Sequence, residues 1–282
     1  MAQDTVFYQK IIRIFDQKSS PIIMGILNVT PDSFFDGGKY IEEQYWLEHA
    51  KEMIDAGADI IDIGAYSTRP GANEVSEEDE LDRLIKVIVS IRNAFPEILI
   101  SADTYRSEVA RRSVAAGANI INDISGGNFD DKMFKTIAQT GVAYVLMHIQ
   151  GTPKNMQDDP KYDDVENDVF EFFENKLQIL RRFGIENVII DPGFGFGKTV
   201  EHNYSLLKNL NKFQSLNCPV LAGLSRKSMI NKLLNISSKE SLNGTSILNE
   251  IALQNGAKIL RVHDVKEAKE AITIYNYLKG LK

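Results

Sequence analysis

Three residues have the chemistry to grip the edge of a flat, nitrogen-rich ring: Asp103, Asn122 and Asp191. An ionised carboxylate accepts two neighbouring N–H donors at once, and an amide both donates and accepts. Taken singly, each of the three is equally well explained as a helix cap. A second group is basic: Arg69, Lys198, Arg226, Lys227, Arg261 and His263. Clustered on the loops of an acidic chain they point to a bound anion, although each alone reads as readily as a surface charge paired with an acid. Arg261 and His263 are two apart, a spacing that aims both to one face of a strand. Ser225-Arg226-Lys227-Ser228 runs into an apolar stretch from Met229 that reads as a helix. The first-turn N–H groups of such a helix could hold a carboxylate or phosphate. Gly193-Phe194-Gly195-Phe196-Gly197-Lys198 looks like a phosphate loop but lacks the spacing and the terminal Lys-Ser/Thr of a Walker motif, so it is not read as an ATP site. Its phenylalanines offer an apolar wall for an aromatic substrate.

A recurring unit positions these residues. Ala56-Gly57-Ala58-Asp59-Ile60-Ile61 returns as Ala116-Gly117-Ala118-Asn119-Ile120-Ile121, and more loosely as Asn255-Gly256-Ala257-Lys258-Ile259-Leu260. Gly141 and Gly184 play the same part before VAYVLM and IENVII. Each glycine closes a helical pattern, where a left-handed residue is needed, and opens an apolar run that reads as a strand buried on both faces. Such runs predict strands at 22–27, 59–63, 98–102, 119–124, 142–147, 188–190, 220–222 and 258–262. Helical patterns separate them. One carries Leu81, Leu84, Ile85 and Ile88 behind Ser76 and Asp79, spaced as a capping box. Strict alternation implies parallel strands with right-handed crossovers. The count favours a closed (β/α)8 TIM barrel over an open, doubly wound sheet. In a barrel the chemistry sits at the carboxyl ends of the strands. In the three Gly-Ala copies the first polar residue lies five positions past the glycine, at Asp62, Asn122 and Arg261, which directs them to one rim.

Composition narrows the class. The chain has 282 residues, 43% hydrophobic and 25% charged, with a net charge of −7. That balance argues against a general nucleic-acid surface. No run of about 18 apolar residues suggests a membrane span. No basic-then-apolar start suggests a secretory signal. Cys218 is the only cysteine, so no intrachain disulfide forms, and a reducing cytoplasm is expected. Cys218 precedes the seventh strand, the wrong end for catalysis. No His-x-x-x-His spacing marks a structural zinc. A magnesium ion held partly by substrate phosphates remains compatible. Residues 1–20 read as a weakly patterned leader with at most a short helix outside the barrel, and 21–282 as one domain.

The loops resemble those of the dihydropteroate synthase family. GILNVTPDSF, DIGAYSTRPGA, INDISGG, MHIQGTPKNMQ, DPGFGFGK, GLSRKS and RVHDV occur in family order from about Pro21 onward. The resemblance implies a pterin-binding barrel enzyme of folate biosynthesis. Such an enzyme condenses 6-hydroxymethyl-7,8-dihydropterin pyrophosphate with para-aminobenzoate, and releases pyrophosphate. By motif position it implies a pterin pocket of Asp103, Asn122, Met147, Asp191 and Lys227, with Gly223 on the same substrate-binding surface. It implies a pyrophosphate site of Asn28, Thr68, Arg69, Arg261 and His263, with Asn28 also holding Mg2+. Phe34, Pro70, Phe196 and Ser228 fall in the para-aminobenzoate site. Catalytic roles fall on Asp103, Lys227 and Arg261. A homodimer and inhibition by sulfonamides are also implied.

The chain departs from the family pattern at Ala65-Tyr66, where Gly-Glu is common, and at Ile149, where the common run is Met-His-Met. Gly37-Gly38 and Pro70-Gly71 flank segments expected to act as mobile lids. Two other functions share parts of this pattern. A methyltetrahydrofolate:corrinoid methyltransferase would keep the acid and amide pocket but needs neither Ser67-Thr68-Arg69-Pro70 nor the Ser-Arg-Lys-Ser run. A catalytically silent pterin-binding paralogue would not need compatible residues at every mapped position.

Overall fold

The computed structural model describes residues 2–29, 39–66 and 75–281. Its strands are β1 Ile22–Asn28, β2 Ile60–Gly64, β3 Leu99–Asp103, β4 Ile120–Asp123, β5 Ala143–Met147, β6 Val188–Asp191, β7 Leu221–Ala222 and β8 Ile259–Val262. The helices are α1 Ala2–Phe15, α2 Lys39–Asp55, α3 Glu77–Ala94, α4 Ser107–Ala116, α5 Met133–Thr140, α6 Val165–Arg182, α7 Val200–Lys208, α8 Ser228–Leu234, α9 Leu242–Gln254 and α10 Val265–Gly280. All pairings are parallel, in the order β6-β5-β4-β3-β2-β1-β8-β7. A bridge between Ile190 and Val220 joins the two ends of that order. An open sheet would leave those edges apart, so the architecture is a (β/α)8 barrel.

The glycines that precede the apolar runs do what their spacing predicts. Gly117 follows α4 at φ 119°, in the left-handed region, and its N–H returns to the carbonyls of Ser113 and Val114. Only glycine takes that conformation without strain. At α3, Ser76 accepts from the Asp79 N–H at 3.1 Å, and its hydroxyl donates to the Asp79 carboxylate at 2.7 Å. The reciprocal bond of a full capping box is replaced by this one, because aspartate is a methylene shorter than the usual glutamate.

Strand periodicity sorts the core into two layers. Ile23, Leu27, Ile61, Ile63, Ile100, Ala102, Tyr144, Leu146, Ile190, Leu260 and Val262 face the helices. The alternate residues Ile22, Met24, Ile60, Leu99, Ile120, Ala143, Val145, Ile189, Leu221 and Ile259 form a separate buried cluster, the filling of the barrel. The leader belongs to that filling. It forms a 14-residue helix, α1. Ile14 has no exposure, and Phe7, Ile11 and Phe15 pack against the inner cluster. The turn after α1 is pinned to the foot of β8, where Lys258 Nζ donates to the carbonyls of Asp16 at 2.8 Å and Ser19 at 2.6 Å. Among the described residues no helix is long and apolar enough to cross a membrane.

Truncating Ile14 therefore tests whether α1 is part of the cooperative core. Ile14→Ala is expected to lower the unfolding free energy by about 2–4 kcal/mol in urea titration. A loss below about 0.5 kcal/mol, the range of surface changes, would place α1 outside that core.

Candidate active site

The inward positions that are apolar at the foot of the barrel become polar toward its carboxyl end. Ile60 is followed by Asp62, Leu99 by Ser101 and Asp103, Ile120 by Asn122, Ile189 by Asp191, and Ile259 by Arg261. Strand register staggers them along the barrel, with Asp62 opposite Ser101 and Arg261 opposite Met24. Asp103 pairs with Asn122 on one side and Gly64 on the other, and Met147 pairs with Asp191.

Arg261 is the centre of this layer. Its Nε donates to Asp62 Oδ2 at 2.6 Å and its Nη2 to Asp103 Oδ2 at 2.9 Å. Asn122 Nδ2 donates to the same Asp62 oxygen at 3.2 Å. The three residues five positions past the glycines thus meet at one atom. Asp62 is fully buried, and Asp62 Oδ1 and Asp103 Oδ1 are both buried without a hydrogen-bond partner among the described residues. Leaving such acceptors unmet is unfavourable by about 1–3 kcal/mol each or more. An N–H-rich or cationic ligand would satisfy them. Burial and the charge of Asp62 push the Asp103 carboxyl up to about 7, against the pull of Arg261.

The β6 loop supplies the second centre. Asp191 Oδ1 accepts from Gly193 N at 2.8 Å, and burial raises the Asp191 pKa against the opposing charge of Lys227. Lys227 Nζ donates to the Phe194 carbonyl and lies 4.8 Å from the centre of the Phe196 ring. Burial pulls its pKa down to about 8. Gly223 lies beside the ammonium, 3.6 Å from Lys227 Nζ at the position a Cβ would take. Phe196 also joins a small apolar cluster with Ile124, Met147, Ile149 and Met156, flanked by Tyr105 and Phe129. The mouth therefore has an ion-paired side on β2, β3 and β8, and on β4 to β6 an apolar patch beside Asn122 and Asp191. That pairing suits a ring with polar edges and greasy faces.

The remaining predicted positions divide. Asn28 is exposed at the end of β1, with its Oδ1 beside Gly64. Ser228 is the exposed first residue of α8. His263 is exposed, and its Nδ1 lies 3.0 Å from Ser225 Oγ. Phe34, Thr68, Arg69 and Pro70 lie outside the described residues, as do both expected lid segments. Two of the basic residues are not free to bind an anion. Arg226 pairs through two nitrogens with Asp264, at 2.9 and 2.7 Å. Lys198 is buried and donates to protein acceptors on the β5 and β6 loops. Asp264 and His148 lie 38 and 50 residues from the cations they hold, which is why the cluster looks larger from the chain alone. Asp62, to which the resemblance gives no binding role, also lies in this layer, and its place five past Gly57 is the signal for it. Tyr66, at the departure from the family pattern, packs edge-on against Tyr105 with centroids 5.4 Å apart, and its hydroxyl has no hydrogen-bond partner among the described residues. Among the described residues no group of three or more His, Cys, Asp or Glu could hold a metal ion.

The chain is similar to known proteins over most of its length. The family model described as pterin binding enzyme matches residues 24–263. The dihydropteroate synthase of Escherichia coli (strain K12) is 50% identical over 258 residues, 91% of this chain and 91% of that one. That of Streptococcus pyogenes (serotype M6) is 45% identical over 260 residues, 91% and 95% of the two chains. The crystal structure of the Yersinia pestis dihydropteroate synthase with a sulfonamide drug complex is similar at a TM-score of 0.87 and 44% identity, covering 93% of this chain and 95% of that one. The Xanthomonas albilineans dihydropteroate synthase in complex with 7,8-dihydropteroate is similar at 0.84 and 36% identity, covering 95% and 96%.

The raised Asp103 pKa has a thermodynamic consequence. Between about pH 4 and pH 7 the folded protein keeps a proton on Asp103 that the unfolded chain releases. Stability contributed by this group is therefore full below about pH 4 and lost as pH rises through about 7. Asp103→Asn cannot titrate. The stability of the wild type relative to Asp103→Asn is expected to fall between pH 5 and pH 8, measured by urea titration at both. A difference independent of pH would show that Asp103 is not perturbed in this way.

Proposed function

The chain belongs to the pterin-binding enzyme family, and we propose that it acts as a dihydropteroate synthase, joining 6-hydroxymethyl-7,8-dihydropterin pyrophosphate to para-aminobenzoate with release of pyrophosphate. One observation carries the reading. Arg261 is clasped between two buried carboxylates that each keep a spare oxygen, at a mouth whose opposite side carries an apolar patch.

In this reading Asp191 and Asn122 take the N–H edge of the pterin, Lys227 donates to its acceptor edge, and Met147 packs on the ring. Arg261 and His263, with Asn28, Thr68 and Arg69, take the pyrophosphate. Phe196 and Ser228, with Phe34 and Pro70, receive the arylamine. The bond between the methylene carbon and the pyrophosphate oxygen breaks, and its electron pair leaves with the pyrophosphate. Cationic and N–H donors around the leaving group make that departure easier. The positive charge left on the pterin methylene is stabilised by Asp103. An approaching cation also lowers the Asp103 pKa, so its ionised form is favoured when it is needed. The arylamine lone pair then forms the C–N bond, and its proton passes to solvent. Holding the amine in place suffices, and no protein nucleophile is required.

Magnesium fits as a companion of the pyrophosphate. Asn28 offers a hard oxygen at the end of β1, and one protein ligand plus phosphates is a common way to hold this ion. When bound it would neutralise phosphate charge. Sulfonamides would compete with para-aminobenzoate, as the Yersinia pestis complex suggests. The lone Cys218 suits a cytoplasmic location. A homodimer is supported by exposed apolar side chains on two packed helices. These are Ile247 and Ile251 on α9, and Ile274, Tyr277 and Leu278 on α10, at single-face spacings.

Purified protein is expected to release pyrophosphate only when both substrates are present. No release above the enzyme-free control would overturn the reading. Asp103→Asn should lower kcat by roughly 100-fold while pterin affinity stays within about threefold. Wild-type turnover by that variant would remove Asp103 from the chemistry. Ile247→Asp combined with Ile274→Asp should convert a dimer to a monomer in light scattering, whereas an unchanged mass would locate the interface elsewhere.

A further inference from the structure

The β6 loop has two sides. On one it holds Lys227, through the Phe194 carbonyl and the Phe196 ring. Gly195 lies beneath the stem of the same lysine, where a Cβ would come 3.2 Å from Lys227 Cδ. On the other side the loop is fastened by Lys198, which is 3% exposed. Its Nζ lies 2.9 Å from His148 Nδ1, and donates to the carbonyls of Phe196 at 3.0 Å, Gly193 at 3.1 Å and His148 at 3.4 Å. One ammonium thus joins the first residue after β5 to both ends of the segment that carries Phe194 and Phe196. His148 is itself braced, with its ring edge-on to Phe172 at 4.9 Å.

Neighbouring bonds draw the same two loops together. Tyr162 donates its hydroxyl to the Gly197 carbonyl at 2.8 Å, and Gln157 Nε2 donates to Gly195 O at 2.7 Å. The fit leaves no slack. A Cβ at position 193 would stand 1.9 Å from the His148 carbonyl oxygen, and one at 197 would stand 2.5 Å from that of Gln150. A buried ammonium is unfavourable unless its donors are met, so its place here is held by these acceptors and holds them in turn.

We propose that Lys198 is a positioning residue: it clamps the β6 loop to the β5 loop and thereby sets the aromatic wall at Phe196 that receives the arylamine. It touches neither substrate. The inference rests on the proposed function for the identity of the arylamine.

Lys198→Met keeps the unbranched stem as far as the ε position and removes every donor. The KM for para-aminobenzoate is expected to rise about tenfold, the size of one lost charged hydrogen bond, with kcat within about twofold. The KM for the pterin substrate should rise less than that for the arylamine, within about threefold, because Asp103, Asn122 and Asp191 remain in place and only Lys227 shares the loosened loop. A lowered Tm with all kinetic constants retained would show a purely structural lysine and overturn the proposal. So would a fall in kcat alone. If Lys198→Met does not fold, His148→Ala removes one acceptor instead, and an unchanged KM for the arylamine overturns the proposal there. Wild-type protein run alongside separates the two readings. If it releases no pyrophosphate, the functional reading has failed. Amide hydrogen exchange at residues 193–197 then decides: faster exchange in Lys198→Met upholds the clamp, and unchanged exchange rejects it.

Discussion

The Arg261 guanidinium, wedged between Asp62 and Asp103, is the constraint on which the rest of the molecule depends. Three charges sit in the upper barrel with little water to screen them. Removing any one leaves the others poorly paired, a loss of about 3–5 kcal/mol for buried pairs of this kind. The arginine comes from β8 and the carboxylates from β2 and β3, so the ion cluster reaches across β1. The interaction that makes the mouth electrically useful is also one that ties the last strand to the first three.

Around that cluster the barrel divides its labour by side. The ion-paired side presents spare carboxylate oxygens and a guanidinium, and the other presents Met147, Ile149 and Phe196 beside Asn122 and Asp191. The chemistry proposed is a departure stabilised by fixed charges, and such chemistry needs preorganised groups more than reactive ones. The single thiol fits this absence of nucleophiles. Cys218 is buried at the opposite end of β7, and burial pushes its pKa up to about 11.

Much of this was legible in the chain because period and punctuation are local. The Gly-Ala repeats end helices and start strands, and counting five residues on from the glycine locates Asp62, Asn122 and Arg261 on the inner face. Barrel closure follows from eight apolar runs alternating with helical patterns. What escaped was set by distant contacts. Lys198 and Arg226 looked like free cations, yet His148 and Asp264, 50 and 38 residues away, claim them. The leader seemed weakly patterned because its apolar side answers to the inside of a barrel made by later residues. The resemblance of the loops supplied the substrates, which no spacing could.

The leader helix bears on traffic. With α1 and the apolar filling beneath it, the vessel is closed at one end, and everything must pass through the other. Entry and exit therefore share one doorway, the carboxyl rim, and the plug at the foot leaves the interior no second opening.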